Sequence, residues 1–146
     1  MYCPTSQPEG GAERCGVAEP PGVEWTGAVP HDRWLARVAR ARAFVNASRR
    51  EDHGLAQLEA LAAGTPLVTV PSPGAYEALP IARALAPDLV ATDVSAPALA
   101  TAIRAGLALP DRRGYAEGAA AAMRPYRGDA VLAVVRGEVA PALGLV

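Results

Sequence analysis

The sequence predicts an α/β protein: a partial Rossmann-like parallel sheet of about four strands with flanking helices. Short apolar runs such as "RAFVNAS" and "TPLVTV" alternate with helix-period stretches of roughly 10–15 residues. Glycines such as Gly27 and Gly64 punctuate the changes of period. At 146 residues and 51% hydrophobic, the chain is long enough for one core and short for two.

Taken in order, residues 1–22 are rich in Pro, Gly, Glu and Ser without a helical or strand period, and read as a poorly ordered leader. Residues 23–146 form the partial domain. "VEWTG" is a short β-like run closed by Gly27. In "AVPHDRWLARVARA", Asp32 fits a helix cap, with Trp34, Leu35, Val38 and Ala39 at helical spacing. "RAFVNAS" reads as a second strand, and "GLAQLEALAAG" as a helix ended by Gly64. "TPLVTV" is a third strand, with Pro66 tolerable near its start. "GAYEALPIARAL" is a helix interrupted near Pro80, "DLVAT" a weak fourth strand, and "SAPALATAIRAGLAL" a helix capped by Ser95. Helical stretches around Tyr115 to Met123 and Asp129 to Leu143 complete the chain.

Composition narrows the function. The net charge of −1 gives no basic field for nucleic acid or an anionic membrane, so neither partner is expected. All 14 basic residues are Arg, so an anion would meet planar forks and no ammonium. Cys3 and Cys15 lack zinc-site spacing and read as reduced thiols, with a disulfide between them as the alternative. There is no transmembrane run and no signal-peptide pattern, and the expected location is cytoplasmic.

The most informative stretch is "SRREDHGLAQLEALAAGTPLVTV", which places Glu51 and Glu59 eight residues apart around Gly54. On the expected layout a strand ends near Ala47, a loop carries Arg49 to His53, and a helix opens at Gly54 or Leu55. Ligands of open α/β sheets sit beyond the carboxyl ends of the strands. There the free N–H groups of a helix favour an anion, and Gly54 admits a close approach. Leu55, Leu58 and Ala62 share one helix face, and Glu59 falls at its edge, suited to the vicinal hydroxyls of a ribose. Plainer readings stand beside these. Glu59 fits an ordinary boundary residue, Glu51 with Asp52 fits a helix cap, and Arg49, Arg50 and His53 fit solvated surface. Glu77 fits a first-turn helix acid as well as a ligand contact.

The stretch resembles the E-x7-E segment of retaining GT-B glycosyltransferases of the family 4-like, group 1 type. Its usual form is Ser-x-x-Glu-x-x-Gly-Leu-x-x-x-Glu-Ala-x-Ala-x-Gly-x-Pro-Val. Ser48, Glu51, Gly54, Leu55, Glu59, Ala60, Ala62, Gly64 and Pro66 match it in place. A weaker similarity spans residues 23 to about 145. The resemblance implies the C-terminal half of a GT-B fold and transfer of a sugar from a nucleotide-sugar to an acceptor hydroxyl with retention. It implies Glu51 as the catalytic-site acid on the donor sugar's hydroxyls. Donor binding would fall to Ser48, His53, Gly54, Leu55 and Glu59, with Glu59 on the nucleotide ribose. The nucleotide-sugar is then a substrate, with no metal and no cofactor expected.

The chain departs from the family in having Asp52-His53 where Gly-Phe is common, and in having no Lys. No counterpart of the acceptor-binding domain is evident. It is therefore expected to be a donor-binding portion, inactive or nearly so alone: either a truncated gene product or a piece that works with a separately encoded N-terminal acceptor domain. The alternative is a non-catalytic nucleotide or sugar-phosphate-binding module, or a degenerate fragment.

Overall fold

The computed structural model describes residues 21–145. Most of the expected leader, with Cys3 and Cys15, lies outside them. The described residues fall into two units, 21–34 and 35–145.

In the first unit, residues 21–30 run without helix or strand up to the opening of α1 (His31–Arg40). The strand expected at "VEWTG" does not form. A strand needs a partner to take its backbone groups, and Val23 and Trp25 are exposed instead. Asp32 sits in the first turn of α1 and not at its cap, where its charge still complements the helix dipole. The helix starts two residues earlier than expected, with the Trp34 amide donating to the Pro30 carbonyl at 2.9 Å.

The second unit carries β1 (Phe44–Asn46), α2 (Leu55–Ala62), β2 (Leu67–Thr69), α3 (Ala78–Leu85), α4 (Ala96–Leu107) and α5 (Arg112–Ala122). A last helical run joins α6 (Gly128–Val134), a π-helical segment (Val135–Val139) and α7 (Ala140–Ala142). β1 and β2 are parallel, with Phe44 opposite Leu67 and Asn46 opposite Thr69. All three residues of β2 are buried, as befits a parallel strand covered on both faces.

On the other side of β2, the expected fourth strand shrinks to a single parallel bridge between Thr69 and Val90. The Ala91 amide donates to the Thr69 carbonyl at 2.8 Å. The shortening has a local cause: Pro87–Leu89 wind into a 3₁₀ turn with Pro87 fixing φ, leaving only Val90 and Ala91 extended enough to pair. The sheet among the described residues is thus two strands and a bridge, where about four strands were expected.

α3 runs unbroken through Pro80, contrary to the expected interruption. Pro80 is its third residue, where an amide has no intrahelical acceptor to lose. Ser95 does cap α4, its hydroxyl accepting from the Ala98 amide at 3.4 Å.

The core gathers Leu58 and Leu61 from α2, Leu67 and Val68 from β2, Leu89, and Tyr115 from α5. α4 lies so close on β2 that a Cβ at Gly106 would stand 2.7 Å from a Val68 methyl. Two backbone groups at this core are satisfied by distant side chains. The Leu67 amide donates to the Tyr115 hydroxyl at 3.0 Å, and the Thr65 hydroxyl donates to the Val38 carbonyl at 2.8 Å.

Candidate functional site at the strand ends

Two loops leave the carboxyl ends of β1 and β2 and lie against each other. The Ser72 hydroxyl, in the loop after β2, donates to the Ser48 carbonyl in the loop after β1. The Glu51 amide donates to the Pro73 carbonyl at 3.2 Å. At Gly74 the backbone adopts φ +124, and a Cβ there would overlap the Glu51 carbonyl oxygen, so only glycine lets the loops meet this closely.

Gly54 ends the first loop at φ +84 and is buried. A Cβ on it would stand 2.9 Å from the Tyr76 ring, which enters from the second loop. The Tyr76 hydroxyl is 2.6 Å from the Thr69 hydroxyl at the end of β2. The assembly is therefore strand end, glycine, aromatic ring and helix start, locked together.

Within it, the Glu51 carboxylate is half-buried and held. One of its oxygens, Oε2, accepts from Gln57 Nε2 at 2.8 Å and from Asn46 Nδ2 at 3.3 Å. Asp52 turns outward to Arg50, at 3.3 Å and largely exposed, a pair worth little. The hydrogen bonds of Glu51 and Asp52 thus go to side chains and not to the start of α2. Gly54, at the cap position, offers that helix no side-chain acceptor.

Of the other residues singled out in the sequence, Ser48 follows β1, its amide donating to Asn46 Oδ1 at 2.9 Å. His53 is exposed on the loop. Leu55 opens α2 and is 67% exposed. Glu59 lies one turn further on the same side of α2, half-buried.

The buried stripe of α2 differs from the expected Leu55, Leu58 and Ala62: it comprises Gln57, Leu58, Ala60 and Leu61. Side chains lean toward the N-terminus of their helix, so a first-turn Leu55 projects past the sheet rather than onto it. Glu59 nevertheless lies at the boundary of the stripe. Glu77, at the start of α3, accepts from the Tyr126 hydroxyl at 3.1 Å, which makes it a tie to the turn after α5.

Burial holds the Tyr76 phenol above its ordinary value; the Thr69 hydrogen bond opposes this and the nearby Glu51 charge adds to it. Tyr76 is thus a neutral wall of the site. Among the described residues, no cluster of three or more His, Cys, Asp or Glu could hold a metal ion. No helix there is long and apolar enough to cross a membrane.

Residues 6–109, well over half of the chain, match the family model of the glycosyl transferases group 1. The chain belongs to that family. No curated protein and no solved structure matches it.

The match covers every residue of this group 1 glycosyltransferase described above from Asn46 to Glu77. Sequence reasoning missed three of them: Asn46, Gln57 and Tyr76. Gln57 carried a faint signal, being a polar residue between Leu55 and Leu58 in an otherwise apolar run. Asn46 and Tyr76 matter only through the meeting of the two loops, which no local pattern announces.

Proposed function

We propose that this group 1 glycosyltransferase chain binds a nucleotide-sugar and forms the donor-binding portion of a retaining GT-B enzyme. Glu51 accepts hydrogen bonds from hydroxyls of the donor sugar. The backbone of Gly54 and Leu55, at the start of α2, faces the diphosphate, and Glu59 accepts from the ribose hydroxyls. Ser48 and His53 line the same approach.

In the transfer, the acceptor oxygen bonds to the anomeric carbon as its bond to the diphosphate breaks. The diphosphate leaves with the electron pair and takes the acceptor's proton. The acceptor and further cations come from a second domain. The chain has no Lys to meet the leaving diphosphate, so by itself it is expected to bind donor without turning it over.

The observation that carries this reading is the held carboxylate of Glu51 at the carboxyl ends of two parallel strands, beside a helix start without a side-chain cap. Titration calorimetry of the 146-residue chain with UDP-glucose, GDP-mannose and ADP-glucose, and with UDP, GDP and ADP, tests it. The expected result is saturable binding of one pair, weakened by Glu59→Gln. Absence of binding by all six at millimolar concentration would overturn it. Transfer by the purified chain alone would overturn the need for a second domain.

A further inference from the structure

We propose that Gln57 and Asn46 are positioning residues that fix Glu51 so that the donor sugar meets a single carboxylate oxygen. This rests on the donor-binding reading above.

A carboxylate offers about four lone-pair sites, two on each oxygen. Both donors, Gln57 Nε2 and Asn46 Nδ2, converge on Oε2. Oε1 has no hydrogen-bond partner among the described residues. Neither donor is free to leave. Gln57 is 3% exposed on the inner face of α2, and Asn46 ends β1 with its own Oδ1 accepting from the Ser48 amide. That last bond sets which way the Asn46 amide points, so its NH₂ faces Glu51.

A glutamate on a half-buried loop would otherwise sample several rotamers and lose that freedom on binding. Here the ordering is done in advance by a strand end and a helix, and binding gains from it. The arrangement also restricts recognition. A vicinal diol that bridges both oxygens of a carboxylate is excluded, because Oε2 is saturated. The sugar must present its hydroxyl or hydroxyls to Oε1 alone.

Removing the clasp should therefore weaken the sugar-bearing donor and leave its nucleoside diphosphate alone, since the diphosphate does not reach Glu51. Calorimetry on the 146-residue chain reads this split, using Gln57→Met, which keeps the volume and removes the donor. The dissociation constant of the nucleotide-sugar that binds should rise roughly tenfold, and that of the matching diphosphate should stay within about twofold. In a Glu51→Ala background, Gln57→Met should add nothing. Asn46→Leu should show the same split and serves as the second variant if Gln57→Met loses its helical circular dichroism.

Equal weakening of nucleotide-sugar and diphosphate, no weakening of either, or a full effect in the Glu51→Ala background would overturn the proposal while leaving the donor-binding reading intact. If the wild-type chain binds neither ligand, the donor-binding reading itself fails and this inference falls with it.

Discussion

Gly74→Ala tests whether the meeting of the two loops holds the site together. At φ +124 an alanine is outside the regions open to L-residues, a strain of about 1–3 kcal/mol. Its Cβ would also overlap the Glu51 carbonyl oxygen and stand 2.9 Å from the carbonyl carbon. These are backbone atoms, unable to swing aside as a side chain would. Moving the Glu51 loop is an overpacking cost of about 1–3 kcal/mol, and it stretches the bond from the Glu51 amide to Pro73.

Together the loss should be about 2–6 kcal/mol, a large fraction of the usual 5–15 kcal/mol of a domain. Urea unfolding followed by helical circular dichroism measures it. Gly137→Ala is the control, since nothing beyond its chain neighbours and its own helix backbone lies within 4 Å of the added methyl and it sits inside the last helical run. That variant should gain about 0.5–1 kcal/mol. A Gly74→Ala midpoint equal to that of the wild type would show that the loops do not meet as described.

Three further outcomes can be checked by the same assay. Tyr115→Phe leaves the buried Leu67 amide without an acceptor and should cost about 1–3 kcal/mol; no change would mean another acceptor takes its place. Leu61→Ala, at a fully buried position, should cost about 2–5 kcal/mol. Burial raises the pKa of both Tyr76 and Tyr115, so the fold favours their neutral forms. The resulting stability should be complete below the unfolded tyrosine value of about 10 and be lost as pH rises from there toward the folded values. Tyr76→Phe and Tyr115→Phe should each flatten that alkaline decline, and an unchanged slope would contradict the burial of the phenol concerned.

The elements most legible in the sequence were those fixed by local chemistry. "GLAQLEALAAG" forms α2 and stops at Gly64, and Ser95 caps α4, because caps and stops act within a turn. The strands at "RAFVNAS" and "TPLVTV" also appear where their apolar runs lie.

Strand pairing was not legible, because it depends on partners far along the chain. "VEWTG" and "DLVAT" look alike as apolar runs, yet one makes no ladder and the other a single bridge. The site was legible in part: the positions of Glu51, Gly54 and Glu59 followed from the spacing. The clasp on Glu51 was not, since Gln57 reads as one more helix residue until the loop folds back onto it.

The bond from the Leu67 amide to the Tyr115 hydroxyl has a kinetic side. Backbone groups alternate in direction along a strand, so the Leu67 amide points the same way as the groups of Thr69, toward Val90, where the bridge is too short to reach it. A phenol from a helix 48 residues later takes the place of the missing strand residue. Slow hydrogen exchange at this one amide then reports the docking of α5 rather than the pairing of strands. The central strand and a helix far from it in sequence should open to solvent as one cooperative unit.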